Sequence, residues 1–259
     1  MSRTNHRFIR AYVSGYDLSG TARDIGSVGY AFDNEPNAAF SDGVKNIVNG
    51  QMTVQADPLN AFLSPETSPA IGLHELLKSG AGLQTYTIAY GILAAPAQGD
   101  FIFSMPMEQA AYQAEGVAVN VGWGGPTSTN TLISLGYSCP FGRLLHPFGV
   151  ETAVNAAVGI DDYGASPPEL GGILTYHLYS SIGGNITIKV QEADTNTNGS
   201  FTDITGATSG LIDASSSPKH GVVAISATYA VKRYLRWQVV FNVGTSATFL
   251  AGFNRRLWS

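Results

Sequence analysis

Oxygen-bearing side chains fall at metal-ligand spacing in one place, Asp194-Thr-Asn196-Thr-Asn198-Gly199. Asp194, Asn196 and Asn198 match the first half of a calcium loop, where alternate oxygens converge on the ion and a glycine makes the sharp turn. The second half departs from that pattern. Thr205 stands where a bidentate glutamate is needed, and the flanks ITIKVQEA and FTDI are strand-like, not helical. The stretch reads as a hairpin loop built on Asx turns and Asn-Gly, with no metal assigned.

Acid–base and nucleophilic chemistry finds no constellation. The five histidines, His6, His74, His146, His177 and His220, show no metal spacing and no neighbouring nucleophile motif. His146 precedes a proline and reads as a loop residue, and His177, between Tyr176 and Leu178, as a satisfied strand residue. Cys139 beside Pro140 has no cation near it in sequence to lower its pKa, so it reads as a structural thiol. Asp161 and Asp162 are adjacent, so on a strand they would point apart, and a solvated loop is the default. Gly122-Trp-Gly-Gly-Pro lacks the helix and lysine of a phosphate cradle. Neither a catalytic set nor a cofactor is implied.

Lys232-Arg-Tyr-Leu-Arg236-Trp237 interleaves cations with aromatics, as single-stranded nucleic-acid binders do. Alternation splits it: Lys232, Tyr234 and Arg236 share one face, while Arg233, Leu235 and Trp237 share the other. With no wholly basic face, a strand edge or subunit contact is the better reading.

The elements around these residues are β. The chain has 259 residues, 44% hydrophobic and only 13% charged, with 30 glycines. That size allows one large β domain or two ordinary ones. A net charge of −5 argues against nucleic acid as a tightly bound partner. Residues 30–140 hold nine acids, including Asp100, Glu108 and Glu115, against Lys45 and Lys78, while the basic residues gather at both ends. No lysine or arginine occurs from Ser79 to Gly142. A single cysteine permits no internal disulfide, and no window reaches the roughly 20 apolar residues of a membrane helix. Without a signal-type run after the N-terminus, synthesis in the cytoplasm as a soluble chain is expected, with no membrane partner.

Along the chain, Arg7–Val13 is a first strand and Ile25–Phe32 a second. Residues 33–43 read as a loop, and Val44–Ala56 as strand, turn, strand about Asn49-Gly50. Residues 57–63 suggest a helical turn, and Ser68 to Gly80 the clearest helix. QTYTIAYG, DFIFSMPM and VAVNVGWG are strands, and Met107–Glu115 leans towards strand despite its helical residues. Beyond Gly171-Gly172, ILTYHLYSS, NITIKVQEA, HGVVAISA, RYLRWQVVF and TFLAGFN alternate as in a β-sandwich. The boundary between the two parts is placed at Phe148, giving domains 1–148 and 149–259.

These segments resemble the major tail tube proteins of long-tailed (siphovirus-type) bacteriophages. RFIRAYVSGYDLSGTARDIGSVGYAFD is similar to that family's opening strand and D-[IL]-S-G turn. SDGVKNIVNGQMTVQADPLNAFL resembles the strand after its first long loop, and GLHELLKSG falls where its one sheet-packed helix lies. HPFGVETAVNAAVGIDDYGASPPELGGILTYHLYSS is similar to the loop into an appended domain, and NITIKVQEADTNTNGSFTDITGA with VKRYLRWQVVF to that outer sandwich. Residues 124–145 carry no family pattern.

The resemblance implies an all-β fold: a tail-tube-like β-sandwich or barrel with one short packed helix, plus a C-terminal β-sandwich. It implies a non-enzymatic virion protein in stacked, hexameric rings that form the conduit for DNA ejection. Its partners would be other copies of itself, the tape measure, tail terminator and distal tail proteins, and DNA in transit without tight binding. An acidic wall suits such a channel, because each cationic residue in it would become a phosphate contact. Asp100, Glu108 and Glu115 are the candidates to line it. The alternatives are another virion structural protein, such as a capsid decoration or tail terminator protein, or a carbohydrate-binding module using Tyr176, Tyr179, Phe201 and Trp237.

Overall fold

The computed structural model describes residues 8–20, 22–25, 27–36, 47–57, 59–62, 76, 83–115, 118–124, 140–162, 170–214 and 218–255. In chain order its strands are β1 (Ile9–Val13), β2 (Tyr16–Asp17), β3 (Ala22–Ile25), β4 (Val28–Pro36), β5 (Ile47–Ala56), β6 (Leu59–Phe62), β7 (Leu83–Tyr90), β8 (Phe101–Glu115), β9 (Ala118–Gly124), β10 (Phe141–Glu151), β11 (Ile160–Asp161), β12 (Gly172–Ile182), β13 (Ile186–Ala193), β14 (Thr202–Thr208), β15 (Lys219–Ala224), β16 (Tyr234–Phe241) and β17 (Ser246–Arg255). All pairings between them are antiparallel. The all-β class read from the sequence is the class observed.

One large sheet runs in the order β15-β12-β17-β10-β8-β7-β1-β2, and β8 carries it on through β9 and β6 to β3. A second sheet, β11-β16-β13-β14, covers one face of the first, and β4 pairs with β5 alone. Position 148 falls inside β10, which pairs with β8 near its start and with β17 along its length. The large sheet therefore draws strands from both sides of that position.

Apolar residues meet in two main clusters. Ala11, Val13, Tyr86, Ile88, Phe103, Met105 and Met107 form one around β1, β7 and β8. Leu174, Leu178, Phe249 and Phe253 of the large sheet meet Ile188, Val190, Leu235 and Val239 of the second sheet in the other. Ile102 is buried with Tyr12, Ala89, Leu144 and Leu250 in a third, smaller group. The first half of β8 is thus covered on both faces. An ordinary interior explains why Ile102 to Met107 lacks charge.

Three local expectations change. Asn49-Gly50 makes no hairpin, because β5 continues through it beside β4. The pairing jumps from Phe32↔Met52 to Asn34↔Asn49, so two residues of β5 oppose one of β4. The dipeptide sits at a β-bulge, the other setting in which a strand uses glycine. Leu59–Phe62, expected as a helical turn, is strand β6 between β3 and β9. Two flanking ladders outweigh a local preference that rested on Pro58 suiting a first helical position. Residues 33–36, expected in a loop, belong to β4, and residues 37–43 of that loop lie outside the described residues. Of the helix expected from Ser68 to Gly80, only Leu76 lies among the described residues; it is helical and packs on the first core.

Ser14 and Gly15 join β1 to β2 with φ of 52° and 94°, the pair of positive values that a two-residue type I′ hairpin needs. A Cβ at Gly15 would stand 2.6 Å from Pro218 Cβ. The turn is therefore pressed against the start of β15.

Candidate functional site

The acidic candidates are positioned by β8. Asp100 closes the turn before it: its carboxylate accepts the Ala97 amide at 2.8 Å, and its carbonyl accepts Leu144 N–H at 2.8 Å. Glu108 is half-buried, opposite Leu83 of β7 and Gly124 of β9. Glu115 lies near the strand's end, opposite Ala118. In a regular strand, positions 108 and 115 face opposite sides. Here the register shifts between Gln109↔Trp123 and Ala111↔Gly122, a bulge at position 110. With that extra residue, positions 108 and 115 pair with Gly124 and Ala118, an even step along β9.

The calcium-like loop connects β13 to β14 as a hairpin, with a single 3-10 turn at Asn198–Ser200. Each of its three oxygens has a protein partner. Asp194 pairs with Lys232 at 3.2 Å. Asn196 accepts from Gly159 N–H at 2.7 Å and donates to Gly159 O at 3.0 Å. Asn198 Oδ1 accepts from Arg236 Nη1. Lys232, Gly159 and the Arg236 guanidinium of β16 thus each take one of the three residues.

The basic cluster is not a strand edge. β16 runs between β11 and β13, and each of its cations is engaged inside the chain. Arg236 is 4% exposed, donates to Gln191 Oε1 and Ala156 O at 2.8 and 2.9 Å, and stacks over Phe201. Arg233 forms a two-pronged pair with Asp161, with Nε to Oδ1 at 3.0 Å. These contacts leave no basic platform of the kind nucleic acid needs.

Asp162 overturns the solvated-loop reading. It is 5% exposed and accepts Arg255 Nε at 2.8 Å, with Arg143 Nε at 3.5 Å from its other oxygen. Arg255 is fully buried and also donates to the carbonyls of Val231, Lys232 and Arg233. Burial pushes the Asp162 carboxyl up, and Arg255 and Arg143 pull it back. As sequence alternation required, the two aspartates point apart, Asp161 outwards and Asp162 inwards.

A second buried polar group is neutral. His177 of β12 is fully buried; its Nδ1 accepts Gly15 N–H at 3.1 Å. That fixes the proton on Nε2, which donates to Thr87 Oγ1 at 2.8 Å, and Thr87 meets Ser104 Oγ at 2.8 Å. Burial, then His220, lowers the His177 pKa to about 3. His220, its cross-strand neighbour, reaches Thr85 Oγ1 at 2.9 Å. These bonds fold the β12–β15 end of the sheet over β7. The reading of His177 as a satisfied strand residue holds.

His146 lies within β10, not in a loop: Pro147 forces no break because the β10–β17 ladder is irregular there. Its Nδ1–H donates to Phe249 O at 3.1 Å, and its ring stacks on Phe249 with centroids 4.1 Å apart. Cys139 and Thr205 differ in standing: Cys139 lies outside the described residues, and Thr205 is an exposed residue of β14. Among the described residues no group of three or more His, Cys, Asp or Glu is placed to hold a metal. Of the four aromatics considered for sugar binding, Tyr176, Phe201 and Trp237 are core residues, and Tyr179 stands half-buried against Tyr16 and Phe148.

No protein-family model and no curated protein matches the sequence. Among solved structures, the chain is similar to the Dit protein (gp 19.1) of phage SPP1, described as a paradigm of the hub adsorption apparatus in phages infecting Gram-positive hosts. That likeness covers 96% of this chain and 99% of the other, at 9% identity and a TM-score of 0.33. A chain of the phage p2 baseplate, in its activated conformation with Sr, is similar over 94% of this chain and 97% of its own. Its identity is 10% and its TM-score 0.27. Values this low carry no argument about what this chain does.

Proposed function

We propose that this chain is a structural protein of a bacteriophage tail, assembling into stacked rings, six subunits to a ring, that enclose the channel for DNA. The bulge in β8 supports this reading most directly. It sets positions 108 and 115 of β8 an even number of steps apart along the β9 ladder, the register that two residues on one sheet face require. Fifteen residues at roughly 3.3 Å each span about 50 Å, about three times an ordinary strand. A strand that long would offer β structure to neighbouring subunits. With Asp100, the two glutamates would line the channel and repel phosphate.

Polar chemistry inside the subunit agrees with a structural role, since His146, His177, Asp162, Arg236 and Arg255 are each held in packing contacts. The tape measure, terminator and distal tail proteins would then be its partners, and the virion tail its location. Negative-stain electron microscopy of the purified protein tests the assembly: rings or tubes with a central channel are expected. Monomers at all concentrations, or closed caps and trimers, would sink the ring reading. A reconstruction of the ring with Asp100, Glu108 and Glu115 all facing outward or buried between subunits would sink the lumen assignment alone.

A further inference from the structure

The sequence holds two Asn-Gly pairs, Asn49-Gly50 and Asn198-Gly199, and their settings differ. Asn-Gly is the dipeptide in which a backbone nitrogen most easily reaches the preceding carboxamide, because glycine puts no side chain in the way. Asn49-Gly50 lies within β5, at the bulge in its pairing with β4. Asn198-Gly199 lies in a single 3-10 turn that has no side-chain cap and no buried residue. Nothing stands within 4 Å of where a Gly199 Cβ would be. The turn buries none of its own residues, so moving its backbone costs less than opening a core strand.

Asn198 Oδ1 also accepts a hydrogen bond from Arg236, a cation that is itself 4% exposed. A guanidinium on a carboxamide oxygen withdraws electrons from Cγ and stabilises the oxyanion that forms on attack, as an oxyanion-hole donor does. The three acceptors of the Arg236 guanidinium, namely Gln191 Oε1, the Ala156 carbonyl and Asn198 Oδ1, are all neutral. A carboxylate at 198 would give the buried charge the counter-ion those acceptors do not supply.

We infer that Asn198 is a site of spontaneous deamidation, promoted by Arg236 and driven towards a 198 carboxylate that pairs with it. The deprotonated Gly199 nitrogen attacks Asn198 Cγ, forming the ring C–N bond of a succinimide. The Cγ–Nδ2 bond breaks and ammonia leaves with the proton given up by the Gly199 amide. Water then opens the ring at either carbonyl, yielding aspartate or isoaspartate, with no change of oxidation state. The neighbouring Asn196 is a poor substrate, because Thr197 follows it and both of its amide atoms are held by Gly159.

Peptide mapping by mass spectrometry tests this on the full-length protein, aged at mildly alkaline pH, folded and in denaturant. In the folded protein, conversion at Asn198 is expected to outrun Asn49 about tenfold, a fraction of what one oxyanion donor supplies in an enzyme. In denaturant the two sites should convert alike. Gly199→Ala should abolish the folded-state conversion. Arg236→Met should slow it about tenfold when folded and leave the denatured rate unchanged. A folded protein in which Asn198 stays intact while the denatured chain deamidates overturns the site. An Arg236→Met rate equal to or above the original overturns the role of the guanidinium.

Discussion

Two residues buried to the same degree, His177 and Arg255, carry opposite electrostatics. His177 closes the sheet over β7 through neutral bonds to Gly15 and Thr87. Arg255 closes the other end by a full charge, shared among Asp162 and three carbonyls. Depth removes water from both, and the available partner then decides the state. An imidazole offered an N–H and a hydroxyl stays neutral, whereas a guanidinium, which does not lose its proton, must be met by a carboxylate. The neutral seam should therefore fail by gaining a proton, and the ionic knot by losing a partner.

The largest effect belongs to the knot. Asp162→Ala removes the carboxylate that meets the buried Arg255 charge and should cost about 3–5 kcal/mol in urea unfolding. A loss under about 1 kcal/mol would mean that the carbonyls suffice. Replacing both charges, Asp162→Leu with Arg255→Met, should recover most of that loss, since an apolar pair escapes the desolvation cost.

Acid tests the seam. The folded pKa of His177 is depressed from 6.5 to about 3, so the unfolded chain takes up the proton first. Its contribution is therefore complete above about pH 6.5 and is lost as pH falls towards 3. Between pH 6.5 and about 4 the loss should be roughly 3 kcal/mol. His177→Gln should flatten that limb of the stability–pH curve, whatever its own cost; an unchanged slope would place the acid sensitivity elsewhere. Within the same seam, Thr87→Val strands the His177 Nε2–H and should cost about 2 kcal/mol at neutral pH. Calorimetry that finds no fall in Tm would show the seam to be dispensable.

Legibility in the sequence followed the range of the interactions. β7, the first half of β8, β9 and five of the six strands after Gly171 (β12, β13, β15, β16 and β17) were plain, because alternation is written locally. The bulge at Asn49-Gly50 was not, since the same dipeptide serves a hairpin and a bulge, and only the partner strand decides. Asp162 was missed for a related reason: its partner Arg255 is 93 residues away. Alternation did say that Asp161 and Asp162 diverge, which was the one usable signal that one of them turned inward. The bond from Arg236 to Asn198 could not be seen at all, because β16 joins that loop only in space.

The smallest effect isolates what holds the knot. Lys232 pairs with Asp194 through side chains that are 40% and 75% exposed. Its backbone N–H donates to Glu192 at 2.8 Å, and its carbonyl accepts from Arg255. Lys232→Ala removes only the exposed pair and should cost under about 0.5 kcal/mol, further reduced by salt. Denaturant midpoints at low and high ionic strength would measure it. A loss above about 1.5 kcal/mol would mean that the surface charge helps to hold the carbonyls on Arg255. The expected small value assigns the hold to the backbone of residues 231–233, fixed from beneath by a buried guanidinium and from the side by Glu192.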